Sequence, residues 1–195
     1  TAPPISHIGS ASSATILLAA KDNFPDALAG GPLAAALDAP ILLTDPSELT
    51  TEVADEIVRL GATDVVVLGG DSAISAAVLS DLIDAGIAPE AIERIGGADR
   101  YETSTLIARR VIELVGSCDT VVITTGEDFP DALGASGMAG FFGWPILFVR
   151  PDSVPAATAA LLAELAPEDA PVSPIATLVV GGEAAVGPEV YDILP

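Results

Sequence analysis

The sequence predicts an α/β fold: tandem small three-layer αβα modules, Rossmann-like, with mostly parallel sheets. Three observations predict it. The chain repeats itself, because Asn23-Phe24-Pro25-Asp26-Ala27-Leu28 recurs as Asp128-Phe129-Pro130-Asp131-Ala132-Leu133, and Pro40-Ile41-Leu42-Leu43 as Pro145-Ile146-Leu147-Phe148. Within each copy the apolar period alternates between that of a strand and that of a helix. The strand-like runs are almost continuously apolar, the pattern of parallel strands covered on both faces.

The elements follow in order. Ile16 to Ala19 reads as a buried strand. Asp26 to Leu37 is Ala-rich and helical, with Gly30-Gly31-Pro32 as a kink or restart. Ile41 to Leu43 is a short buried strand. Thr50 to Leu60 places Val53, Ile57 and Leu60 on one helical face. Val65 to Leu68 is a strand, and Ser75 to Asp84 a helix with Ile74, Val78 and Leu82 in register. Asp99 caps the next helix, with Glu102 at the reciprocal capping-box position and an apolar face of Leu106, Ile107, Val111 and Leu114. From Val121 the series begins again. Its last block, Leu178-Val179-Val180-Gly181-Gly182, matches Val66-Val67-Leu68-Gly69-Gly70 after a short insertion placed at Pro167 to Pro174.

A distinctive stretch, Arg94-Ile95-Gly96-Gly97-Ala98-Asp99-Arg100-Tyr101-Glu102-Thr103, precedes the second copy. The division expected is therefore residues 1–93 for a first repeat, lacking its opening Arg-Tyr-Glu-Thr block, and 94–195 for a second. The chain opens Thr1-Ala2-Pro3-Pro4, which fits a processed start or an excised fragment.

Composition narrows the partners. The 195 residues carry 28 Asp and Glu against 7 Lys and Arg, a net charge of −21. Such a chain lacks the cationic footprint that nucleic acid or an anionic membrane surface requires. The mean hydropathy is +0.57, yet its apolar runs are strand-sized and none predicts a membrane span. One cysteine, Cys118, and one histidine, His7, exclude a disulfide framework, a thiolate zinc cage and multi-histidine metal sites. Lys21 is the lone lysine, which fits a surface kept hydrated in high salt or a high-GC genome.

In open α/β sheets ligands sit beyond the carboxyl ends of the strands. Residues expected there include Lys21 to Asn23, Thr44 and Asp45, Gly69 to Asp71, Thr125 to Asp128, Arg150, and Gly181 to Glu183. The pairs Gly69-Gly70 and Gly181-Gly182 are either tight turns or backbone anion cradles. The carboxylates are either a solvated rim or oxygen ligands, which leaves a bridging Ca²⁺ as the one cofactor open. Arg94, Arg100, Arg109 and Arg110 make a local positive island. Arg100 either meets an anionic ligand with its guanidinium fork or pairs with Asp26 or Asp131. Phe24-Pro25-Asp26 and Phe129-Pro130-Asp131 read as helix starts, with the Asp at or beside the N-cap and the Phe stapling the entry. Asp26 and Asp131 could act as catalytic carboxylates, but repeats stacked for binding explain the duplication without catalysis.

Together these blocks resemble the cell wall binding repeat type 2 family of bacterial and archaeal surface proteins. The resemblance runs from about Thr15 to about Val186. It implies three tandem repeats in a pseudo-threefold arrangement, an extracellular location at the cell surface or wall, and non-catalytic anchoring to a cell-wall polysaccharide or anionic glycopolymer. Positions that match the family's blocks are Phe24, Pro25, Asp26, Gly69, Gly70, Arg94, Gly97, Asp99, Arg100, Tyr101, Thr103, Phe129, Pro130, Asp131, Gly181 and Gly182. Of these, Arg94, Arg100, Tyr101, Gly69, Gly70, Gly181 and Gly182 are the expected ligand contacts. Asp99, Thr103 and the Phe-Pro-Asp triplets are expected to define the fold. Two repeats cut out of phase also suggest an alternative: a structural subunit of a surface layer or filament, completed head-to-tail by neighbouring copies, with Thr1 to Ile8 reaching the next subunit.

Overall fold

The run Thr15–Ala20 is β1, the centre of a four-stranded parallel sheet whose residues Ile16 to Ala19 have no exposed surface. The structure is a computed structural model, and it describes residues 12–128, 130–166 and 175–194. The expected leader contact by Thr1 to Ile8, Phe129 and the insertion at Pro167 to Pro174 lie outside the described residues. β2 (Ile41–Thr44) and β3 (Asp64–Leu68) flank β1, and β4 (Ile92–Ile95) pairs with β3, giving the order β2-β1-β3-β4. The second sheet holds β5 (Thr120–Thr125), β6 (Ile146–Val149) and β7 (Ala176–Val180) in the order β6-β5-β7, again parallel. The α/β class with parallel sheets in two small modules is thus the fold of the chain.

Strand periodicity sorts the core into layers. Ile16, Leu18, Val65 and Val67 face outward onto α3 (Thr51–Leu60) and α4 (Ala76–Asp84) through Ile57, Leu60, Val78 and Leu82. The alternate residues, Leu17, Ala19, Val66 and Leu68, face inward. They meet α1 (Phe24–Ala29), α2 (Gly31–Ala36), α5 (Arg100–Val115) and α6 (Pro130–Phe142). Val122, Ile146 and Phe148 of the second sheet enter that same cluster from the other side. Val121, Ile123, Leu147 and Val149 point the opposite way, onto α7 (Ala156–Leu165) and α8 (Pro188–Tyr191). Each module is a three-layer unit, and the two hold their inner helical layer in common. Small residues permit the contact between repeats: a Cβ on Gly31 would lie 1.8 Å from Ser136 Oγ, and one on Gly140 3.0 Å from Ala35 Cβ.

One strand is absent from the sequence reading, and three local expectations need correction. β4 carries only two aliphatic residues in four, Ile92 and Ile95, so its pattern was too weak to read as a strand. Asp26 is not the cap of α1; it is the third residue of that helix, after the cap residue Asn23, and is buried. On α5, Leu106 and Leu114 are 36% and 39% exposed, while Tyr101, Ser104, Ile107, Ala108 and Val111 form the buried stripe. Ser104 tolerates burial because its hydroxyl donates to Tyr101 O (2.8 Å) and accepts from Phe148 N–H (3.3 Å). Finally, Asp99 does cap α5, accepting from Tyr101 N–H (3.0 Å) and Glu102 N–H (2.9 Å). Glu102 does not return the bond to Asp99; its Oε2 accepts from Ala98 N–H one residue earlier (2.7 Å). Asp99→Ala is expected to lower stability by about 1 kcal/mol, read from the shift in a urea midpoint.

Candidate ligand-binding site

Three chain segments converge at the carboxyl end of the first sheet. β1 runs through Asn23 into α1, β3 into Gly69-Gly70, and β4 through Gly96-Gly97 into α5. Gly69 has φ +101°, in the left-handed region, and a Cβ there would sit 2.5 Å from Asp26 Oδ2. Gly69 N–H donates to Ile95 O (2.8 Å), and Gly70 O accepts from Ala73 N–H (2.9 Å) and Ile74 N–H (3.1 Å). The pair therefore forms the turn into α4. Arg94 fastens it from β4, donating to Gly69 O (2.8 Å) and Ile74 O (2.9 Å) with Asp71 3.6 Å away. Its guanidinium serves the fold.

Over this turn lies a cleft of about 210 Å³, lined by Asn23, Asp26, Gly70, Ser72, Arg100, Thr103 and the loop between β4 and α5. Thr103 Oγ1 accepts from Gly97 N–H (3.0 Å) and shapes that loop. Asp26 is only 4% exposed. Burial pushes its carboxyl up to about 6, against the opposing pull of the Arg100 charge. Arg100 forms no ion pair with Asp26 or Asp131; its Nη1 donates to Gly126 O, just past the end of β5. The cleft thus brings together Asp26, Gly70, Asp99, Arg100 and Thr103, drawn from both sequence repeats.

The second sheet reproduces part of the arrangement. Gly181 has φ +136°, and a Cβ there would lie 2.9 Å from Asp131 Oδ2. Gly182 O accepts from Ala185 N–H (2.8 Å) and Val186 N–H (3.0 Å), the same turn as at Gly70. The Asp of each Phe-Pro-Asp triplet therefore packs on the first Gly of its own repeat's pair. Gly181 and Gly182 do not join the cleft around Arg100. Tyr101 is buried, and Arg150 lies over its ring, 4.4 Å from the centroid. Burial raises the Tyr101 hydroxyl above its ordinary value.

The expected positive island is divided. Arg109 is held by Glu164 (2.7 Å), and Arg110 by Glu113 (3.2 Å) and Glu93 (3.6 Å). Among the described residues no group of three or more His, Cys, Asp or Glu side chains gathers to hold a metal ion. Nor is any described helix long and apolar enough to cross a membrane. Ser72 is not singled out as a site residue from the sequence, whereas Asn23 and Arg150 stand among the strand-end residues expected there; Arg150 occupies the position of Asp45 in the first copy, with the charge reversed.

Residues 4–79 and 94–191 match the family model "Cell wall binding domain 2 (CWB2)". The chain is 36% identical over 141 residues to the amidase enhancer of Bacillus subtilis, covering 72% of this chain and 19% of that protein. It is 30% identical over 195 residues to the N-acetylmuramoyl-L-alanine amidase LytC of the same organism, covering 100% of this chain and 36% of the relative. Among solved structures, Cwp8 from Clostridium difficile superposes with a TM-score of 0.79 at 30% identity, over 97% of this chain and 30% of that one. Cwp6 from the same organism gives 0.80 at 28% identity, over 93% of this chain and 27% of that one. The chain thus spans about a third or less of each of these proteins. Asp26 on Gly69 and Asp131 on Gly181, the same contact made in each copy, and a family match across both copies place this chain in the cell wall binding domain 2 family.

Proposed function

We propose that the chain is a non-catalytic module that retains a protein at the cell surface by binding a cell-wall glycopolymer. The observation that supports this most is the polar cleft at the carboxyl end of the first sheet, where Arg100 has no ion-pair partner among the described residues and faces the buried Asp26. Arg100 supplies the charge-assisted contact, Asp26 and Asp99 accept from sugar hydroxyls, and Gly70 lets the ligand approach the backbone. Arg94, Gly69, Gly181 and Gly182 hold the two turns. The boundary at 93/94 is kept as the division between repeats in sequence, although β4 straddles it and the core is shared.

The test is retention on purified cell walls. Wild-type chain is expected to sediment with the walls, and Arg100→Ala to lose at least about tenfold in affinity. With a net charge of −21, binding to an anionic polymer is expected to strengthen as added salt shortens the screening length from about 30 Å to about 10 Å. No retention of wild type at any ionic strength would sink the proposal.

Assembly into a surface layer is a second reading. Two features favour it: β7 closes the second sheet with one edge unpaired among the described residues, and Phe141 is 84% exposed beside the stacked Phe142 and Trp144. A single monomer peak in light scattering across salt concentrations counts against it.

A further inference from the structure

We infer that Arg100 and Arg150 form a subsite for a singly charged oxyanion at the carboxyl end of the second sheet, beside Gly126. The inference deepens the wall-polymer reading and rests on it for the natural ligand.

The argument starts from charge. In a chain with 28 acidic residues and 7 cations, carboxylates are available to every arginine. Lys21, Arg59, Arg94, Arg109 and Arg110 each have one. Among the described residues Arg100 and Arg150 do not, and both lie at the same strand end. Arg100 donates to Gly126 O, and Gly126 N–H donates to Val149 O (3.1 Å), directly before Arg150.

Comparison of the two copies sharpens this. In the first sheet the equivalent place is closed by Lys21 and Asp45, an ion pair at 3.0 Å. In the second, Gly126 stands for the lysine and Arg150 for the aspartate, so no internal partner closes it. The glycine leaves room: a Cβ at 126 would crowd Tyr101 Cε1 at 3.1 Å and Arg100 Cδ at 3.2 Å. Its absence lets Arg100 cross the strand end. The Tyr101 ring then supports the Arg150 guanidinium. Two guanidinium groups at one strand end repel each other unless an anion joins them, and their forks match a carboxylate or a phosphate. Asp99 and Glu127 directly neighbour Arg100 and Gly126 in the chain, so the same strand end also carries negative charge, which favours a ligand of low charge.

The experiment titrates the full chain with dimethyl phosphate and, separately, with glucuronate, following the amide resonances of Gly126, Tyr101 and Arg150. Saturable shifts are expected, weakened about tenfold by Arg150→Ala and less by Arg150→Lys, which keeps the charge but not the fork. Arg150 is exposed, so an unchanged melting temperature shows that the variant is folded. The tighter of the two probes identifies phosphodiester or uronate as the source. Binding of neither, or binding indifferent to Arg150→Ala, overturns the subsite. Wall retention measured in parallel separates the two ideas. Oxyanion binding through Arg150 without wall retention removes the wall reading and leaves the subsite; wall retention with silent amides does the reverse.

Discussion

Asp26→Asn is expected to stabilise the protein at pH 7.5 and to remove part of its pH dependence. The carboxyl of Asp26 is buried, with its pKa pushed up to about 6 from an ordinary 3.8. The folded state therefore holds this proton more tightly than the unfolded chain does. Between those two values the folded form binds more protons, so stability from this group falls as pH rises. Above about pH 6 the charged, desolvated carboxylate opposes folding by roughly 3 kcal/mol. Asparagine has the same shape and carries no charge. Urea titrations of both proteins at pH 4, 5.5 and 7.5 are expected to show a gap that is small at pH 4 and opens toward 7.5. A variant no more stable than wild type at pH 7.5 would falsify the idea that burial dominates over the Arg100 charge.

Asp45 behaves in the opposite sense. Ser47 and Lys21 hold its carboxyl down to about 2, so its small contribution is present above pH 3.8 and is lost as pH falls toward 2. The contrast identifies Asp26 as the group whose ionisation works against the fold near neutrality. A fold that keeps such a buried residue in the wall of a cleft, facing an arginine with no ion-pair partner among the described residues, retains it at the expense of stability. That trade is characteristic of binding sites.

The extent to which all this is legible in the sequence depends on what each residue contacts. β1 and β3 carry continuous apolar runs, Ile16 to Ala20 and Val65 to Leu68, and their boundaries are read nearly to the residue; β5 is announced by Val121 to Ile123. β4 is not, because an edge strand presents Glu93 and Arg94 to other partners and keeps only Ile95 deep in the core. The break at Gly30-Gly31-Pro32 is visible because proline cannot continue a helix. The position of Asp26 is not, because a Phe-Pro-Asp triplet at a helix start satisfies the local capping rules so well that burial beneath a distant loop leaves no local trace. Arg100 is recognisable as a candidate on charge alone. Its bond to Gly126 joins residues far apart within the second repeat, and its place facing Asp26 requires that repeat to pack on the first, a relation between copies that neither copy's sequence carries.

Gly96→Ala is expected to be more damaging than any other single methyl group added at the cleft. Its backbone is outside the left-handed region, so no dihedral strain is involved. The obstacle is contact: the new Cβ would lie 2.3 Å from Gly69 C, 2.4 Å from Gly70 N and 2.5 Å from Gly69 O. None of these atoms belongs to a side chain that can rotate away. The turn they form is fixed by Gly69 N–H to Ile95 O and by both bonds from Arg94, so relief requires β3 and β4 to separate at their ends. Overpacking of this kind costs about 3 kcal/mol. Gly61→Ala is the control: Gly61 has φ +70° with nothing within 4 Å of a new Cβ, and only the left-handed conformation is penalised, by about 1 kcal/mol. Equal urea midpoints for the two variants would contradict the backbone crossing. The crossing also carries the site, since Gly70 and Gly97 both line the cleft and a Cβ added at 70 would lie 3.0 Å from Gly97 O. Gly96→Ala should therefore lose wall retention under conditions where it is still folded, whereas Gly61→Ala should lose stability alone.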